Sequence, residues 1–190
     1  MKLVSITGAH SGVGKTSLAA LILREIKGFS AIKVTRTELF TSITMDEEII
    51  SEKGKDSCIL KESGADKVIW VKATYDDLKE CLTQALSMIG NTGGVIIEGN
   101  SPLDFIDPDL VIFIIKDNLT ELKPSGRKAL ERADLVVINT QLDDLEILKK
   151  EIKGINPLVD VFLSDLSKGE IEKGFFDMVK KKMVMELSCG

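Results

Sequence analysis

Ala9-His10-Ser11-Gly12-Val13-Gly14-Lys15-Thr16 decides how this chain folds. It follows a strand-length apolar run, Leu3-Val4-Ser5-Ile6, and opens a helix-like stretch from Leu18 to Ile26. The spacing is that of the Walker A motif, with Ala9 standing where the first glycine is usual. Such a loop turns successive backbone N–H groups inward toward phosphate oxygens, and Gly12 and Gly14 supply the permissive dihedrals and the close approach. The helix that begins near Lys15 points the positive end of its dipole at the same anion. On this reading His10, Ser11, Gly12, Val13, Gly14, Lys15, Thr16 and Ser17 bind a nucleoside triphosphate. The Lys15 ammonium reaches the β- and γ-phosphates, where it also acts in catalysis, and the Thr16 hydroxyl, supported by Ser17, ligates Mg²⁺. Each charge-assisted hydrogen bond contributes about 1.5–3 kcal/mol, so several together hold a nucleotide. A glycine-rich turn joining strand to helix is the bland alternative, and the strand before and helix after count against it.

Outward from this loop, strand-length apolar runs alternate with helix-period stretches. The pattern predicts an α/β fold: a mostly parallel, doubly wound sheet of about seven strands with helices on both faces. The strand candidates are 2–7, 31–35, 68–71, 95–98, 110–115, 135–139 and 159–163, and their β-branched content suits burial on both sides. Helices are expected over 16–26, 55–62, 76–89, 125–132, 143–152 and 169–185. The region 38–54 is the least regular and reads as a loop beside the phosphates or as a solvated helix turn.

The 190 residues suit a single nucleotide-binding domain, and 44% hydrophobic residues with four prolines argue against disorder. No apolar stretch approaches the roughly 20 residues a membrane span needs, and the N-terminus does not read as a signal peptide, so a cytoplasmic protein is expected. A net charge of −5 disfavours general affinity for nucleic acid or anionic membrane. Lys180-Lys181-Lys182 reads as a solvated helix face, because Ile171, Phe175, Val179 and Met183 recur at helical spacing. Cys58, Cys81 and Cys189 show neither zinc-site spacing nor a disulfide framework, and His10 is the one histidine. Mg²⁺ accompanying the nucleotide is therefore the expected metal.

Ligands of doubly wound sheets sit beyond the carboxyl ends of the strands. Gly94-Val95-Ile96-Ile97-Glu98-Gly99 delivers a carboxylate where a strand stops. Glu98 there binds Mg²⁺ directly or through water, orients a nucleophilic water, or merely caps a strand at the surface. A second strand ends in Asn139-Thr140-Gln141-Leu142-Asp143. An Asp placed there accepts hydrogen bonds from the N1–H and exocyclic amine of guanine, a donor pair adenine lacks. The stretch is similar to the base-reading Asn/Thr-Lys-x-Asp element of GTPases, with Thr140 and Gln141 in the first two places. A rival alignment puts Asn139 first and loses the Asp, and Asp143 also suits a helix N-cap, so GTP and ATP both stay open. Ser164 and Asp165, after the last strand, suit either a base contact or a helix cap.

Gly54-Lys55-Asp56-Ser57, followed by Glu62-Ser63-Gly64-Ala65, resembles the molybdopterin-guanine dinucleotide biosynthesis protein B family, as do Ile32-Lys33 on the second strand and Glu98-Gly99 at the end of a later one. The resemblance spans roughly residues 1 to 115. It implies a P-loop NTPase of the SRP-like, dimeric branch, and a homodimer. It further implies GTP binding with Mg²⁺, slow hydrolysis, and a role beside a transferase in assembling the nucleotide form of the molybdenum cofactor. The sequence departs from that family at Val34-Thr35-Arg36, where a His-rich continuation is expected. Three other readings stand beside it: a nickel-insertion maturation GTPase, an ATP-dependent ligase or kinase resembling dethiobiotin synthetase, and a nucleotide-gated adaptor without significant hydrolysis.

Overall fold

Each strand-length apolar run of the chain forms a strand, and these strands lie side by side in one sheet. The structure is a computed structural model that describes residues 1–120, 122–142 and 145–184. In chain order its elements are β1 (Lys2–Gly8), α1 (Lys15–Glu25), β2 (Phe29–Arg36), β3 (Ser42–Thr44), α2 (Glu47–Ile50), α3 (Asp56–Glu62), β4 (Val68–Ala73) and α4 (Leu78–Ile89). There follow β5 (Gly94–Glu98), a 3-10 turn (Ser101–Asp104), β6 (Leu110–Ile115), α5 (Pro124–Glu131), β7 (Leu135–Asn139), α6 (Glu146–Ile155), β8 (Asp160–Asp165), β9 (Glu170–Ile171) and α7 (Phe175–Val184).

The sheet has nine strands in the order β3-β4-β2-β5-β1-β6-β7-β8-β9, two more than the expected seven. The additions, β3 and β9, are its two edges, and each pairs antiparallel with its neighbour. Three and two residues are too few to print a period-2 signal, which is why the hydrophobic pattern misses them. The strands from β4 to β8 run parallel, with β4 one place in from the edge. Region 38–54 holds α2, the solvated helix turn that is one of its two readings, together with β3, which the pattern does not foresee. The last helix begins at Phe175 and not at Gly169, because Gly169 and Gly174, at φ of 73° and 92°, turn the chain through β9 first.

Alternation along β2 and β5 sorts the two faces. Ala31 and Ile96 belong to the cluster that holds Leu18, Ile22 and Leu23 of α1 and Leu60 of α3. Ile32, Val34, Val95 and Ile97 point the other way, against Leu78, Leu82, Ala85 and Ile89 of α4. Helices therefore cover both faces. The same parity sends Lys33 and Glu98 to the α1/α3 side, where β5 sits between β1 and β2 and places Lys33 directly opposite Glu98.

β6 is apolar and buried throughout, as a strand covered on both faces requires. Replacing its fully buried Phe113 by Ala removes a large part of the central core and is expected to cost roughly 3–5 kcal/mol of stability. Urea denaturation measures this, and a loss below about 1 kcal/mol would mean the core is not centred on this strand.

Candidate functional site

The loop after β1 gets its shape from two glycines. Gly12 has φ 76° and Gly14, the N-cap of α1, has φ 110° and ψ 19°. A Cβ on Gly14 would lie 2.9 Å from Asn139 Nδ2 and 2.9 Å from Leu166 Cδ1, so only glycine fits. Val13 is fully buried and offers the loop its main chain, while His10, Ser11, Gly12, Gly14, Lys15, Thr16 and Ser17 line an open cleft of about 700 Å³.

Two asparagines brace this loop. Gly8 N–H donates to Asn100 Oδ1 at 2.9 Å and Asn100 Nδ2 donates to the Gly8 carbonyl at 2.8 Å, which fixes the entry. Asn139 Nδ2 donates to the Val13 carbonyl at 2.9 Å, and its Oδ1 accepts from Leu166 N–H at 3.0 Å. Asn139 is thus spent on protein partners, as a tie between the phosphate loop and the loop after β8. It stands outside the cleft lining, as do Thr140 and Gln141. Thr140 Oγ1 donates to Asp117 at 2.7 Å and Gln141 Nε2 to Asp165 at 3.0 Å. Hydrogen bonds from Ser167, then Lys168 and Gln141, hold the Asp165 carboxyl far below the usual carboxylate range. With Asn139 in the bracing place, the residue three positions on is the exposed Leu142. Asp143 lies outside the described residues.

The floor of the cleft is a charge cluster. Glu98 is 2% exposed. Its Oε2 accepts from Thr16 Oγ1 at 2.9 Å and its Oε1 from Lys33 Nζ at 2.5 Å. It is therefore no strand-capping surface residue. Lys33 Nζ also stands 2.6 Å from Asp56 Oδ2, at the first turn of α3. Burial alone would depress the Lys33 ammonium, but the charge of Glu98 and the hydrogen bonds to Asp56 and Glu98 outweigh it and hold the group above the ordinary lysine value. Asp56 likewise resists burial through Lys33 and Thr16, and its pKa falls. Lys15 Nζ donates to the His10 carbonyl at 3.0 Å. Burial pushes its pKa down, with Glu98 opposing and Lys33 adding to the fall.

These groups suit a magnesium-bound polyphosphate. The Thr16 hydroxyl gives its proton to Glu98 and so keeps its lone pairs for a cation. The Lys15 ammonium rests on a main-chain carbonyl, a neutral partner that an anion outcompetes. Sequence reasoning did not place Lys33 or Asn100 in the site. A lysine inside an otherwise apolar strand, between Ile32 and Val34, and a polar side chain just past a strand end were the signals available. Arg36 lines the cleft too, held by Glu38 at 3.2 Å and lying 5.6 Å from the Tyr75 ring centroid.

No protein-family model matches the chain, and no curated protein matches it significantly. Solved structures do. The hydrogenase maturation factor HypB from Archaeoglobus fulgidus superposes with a TM-score of 0.61 at 16% identity, over 96% of this chain and 90% of that one. HypB from Helicobacter pylori in complex with nickel gives 0.61 at 13% identity, over 96% and 87%. The likeness is one of fold: a mostly parallel α/β sheet with helices on both faces. Zn(II)-bound YjiA GTPase from E. coli shares it at a TM-score of 0.52 and 16% identity, over 93% of this chain and 60% of that one. Among the described residues no helix is long and apolar enough to cross a membrane.

Two outcomes follow from this P-loop. In Asn139→Ala the Val13 carbonyl and Leu166 N–H lose their partner, so stability drops by about 1–3 kcal/mol and GTP and ATP affinities fall together. Calorimetry that shows a loss confined to one nucleotide would make Asn139 a base reader instead. Raising the pH neutralises Lys15, whose pKa lies below the ordinary 10.5. Affinity for inorganic tripolyphosphate with Mg²⁺ is full while the ammonium is charged and declines as pH climbs through the alkaline range, before the ordinary lysine value is reached. A flat profile over that span would remove Lys15 from the phosphate contact.

Proposed function

We propose that this chain is a Mg²⁺-dependent GTP-binding protein with slow hydrolysis that serves the assembly of a molybdenum cofactor in its nucleotide form. One observation carries the reading. The three sequence fragments that resemble the molybdopterin-guanine dinucleotide biosynthesis protein B family lie far apart in the chain, yet Lys33, Asp56 and Glu98, one from each, meet within 2.6 Å contacts beside Thr16. A resemblance built of unrelated local accidents gives no reason for its parts to converge on the phosphate loop.

In this reading the loop amides and Lys15 hold the triphosphate, Thr16 ligates Mg²⁺, and Glu98 orients Thr16. Magnesium supplies charge neutralisation across the phosphates. Both Glu98 oxygens are engaged, by Lys33 and Thr16, which leaves this carboxylate poorly placed to take a proton from water. Hydrolysis is slow for that reason, and the protein works as a switch or dosing device for a transferase partner, as a homodimer. Guanine preference rests on Asp143 and on the likeness in fold to proteins described as HypB and YjiA GTPase. The likeness to HypB in complex with nickel favours a second reading, nickel insertion, and equilibrium dialysis against nickel discriminates the two.

Calorimetry with GTP, GDP and ATP in the presence of Mg²⁺ tests the proposal. Wild type binds GTP ahead of ATP, Lys15→Ala loses on the order of a hundredfold or more for every triphosphate, and Asp143→Ala loses only the guanine preference. Equal binding of GTP and ATP in wild type, or rapid turnover of GTP by the isolated chain, would overturn it.

A further inference from the structure

Lys33 is a partly buried cation of the cleft that phosphate-loop chemistry leaves unused. It rises from β2 on the α1/α3 side, and the register of β2 with β5 sets it opposite Glu98, so the sheet itself aims its ammonium at the floor of the cleft. Its two carboxylate partners are unlike. Glu98, 2% exposed on the neighbouring central strand, is a permanent partner. Asp56 comes from a separate element, the start of α3, and its side chain is 48% exposed. A solvent-facing carboxylate at 2.6 Å is the weaker of the two holds, because water and salt both compete for it. Lys33 also lies close enough to Lys15 to lower that group's pKa, and Asp56 stands close enough to Thr16 for that hydroxyl to help lower the Asp56 pKa. Two ammonium groups and the metal-binding hydroxyl thus surround one spot, and the single anion that reaches it from the solvent side is Asp56 among the described residues.

We propose that Lys33 reads the terminal phosphoryl group of the bound nucleotide and that Asp56 is the resident anion this phosphoryl group displaces. The inference rests on the triphosphate binding proposed above and adds its discrimination: Lys33 tells triphosphate from diphosphate, while Lys15 and the loop amides hold both. A terminal phosphoryl group brings more negative charge than a carboxylate and offers further acceptor oxygens, so it wins the shared ammonium. Freed of Lys33, Asp56 loses its tie to β2. The start of α3 therefore carries the record of which nucleotide is bound.

The experiment is a comparison of GTP and GDP affinities, each with Mg²⁺, in wild type, Asp56→Asn, Lys33→Gln and Lys15→Ala. Asp56→Asn removes the competing charge and is expected to tighten GTP about tenfold with GDP unchanged; Lys33→Gln is expected to weaken GTP about tenfold or more with GDP again unchanged. Lys15→Ala weakens both. Weaker GTP binding in Asp56→Asn would show that Asp56 serves the metal and would overturn the proposal, as would a Lys33→Gln effect equal for the two nucleotides. Should Lys33→Gln leave Glu98 unpaired and fail to fold, the sign of the Asp56→Asn change decides alone. Binding that responds to Lys15 but to neither Lys33 nor Asp56 sinks only this inference. Wild type that binds neither nucleotide sinks the triphosphate reading with it.

Discussion

A carboxylate almost fully withdrawn from water, Glu98, has to be answered by partners, and the sheet order exists in a form that provides them. Burying an unpaired carboxylate is so unfavourable that the group would neutralise instead, whereas here each oxygen meets a donor within 3 Å, from Lys33 and Thr16. Both donors depend on β5 lying between β1 and β2. One neighbour presents Lys33 in direct register, and the other carries the loop that leads to Thr16. Were β5 at an edge, the same residues would have no common centre. The pairing thus ties the order of the strands to the chemistry at their carboxyl ends.

The phosphate loop is held from outside as well as shaped from within. Gly12 and Gly14 allow its path, but Asn100, just past β5, and Asn139, at the end of β7, fix its start and its crest. Such bracing matters because a cradle of backbone N–H groups binds well only if those groups already point inward before the anion arrives. The polar residues beyond β7 form a separate network, with Thr140 on Asp117 and Gln141 on Asp165, so the two ends of this face of the sheet are built from different materials.

Much of this architecture is legible in the order of the residues. Long β-branched runs such as Leu110–Ile115 can hardly be anything but buried strands, and the Gly-x-Gly-Lys-Thr string with a strand before it locates the loop and α1 to within a residue or so. Edges are harder. β3 and β9 rest on a neighbour's ladder and on one partly buried isoleucine each, Ile43 and Ile171, too little to print a pattern, and the turns at Gly169 and Gly174 break what looks like one helical period. Within the site, Lys15, Thr16 and Glu98 announce themselves by motif. Lys33 stands in the Ile32-Lys33 pair that carries the family resemblance, but its place in the site depends on which strand lies beside β2, and sequence alone carries no strand order. Asn139 shows the opposite failure: a polar residue at a strand end looks like a ligand contact until its two amide atoms are both found on main-chain partners.

The margins of the sheet have a consequence for self-association. Each ends in an antiparallel strand of no more than three residues, too short to template a further strand from another molecule. Among the described residues, two copies of this chain therefore have no continuous ladder to share. Any contact between copies would have to run through helices and loops, where side chains rather than main-chain amides decide who pairs with whom.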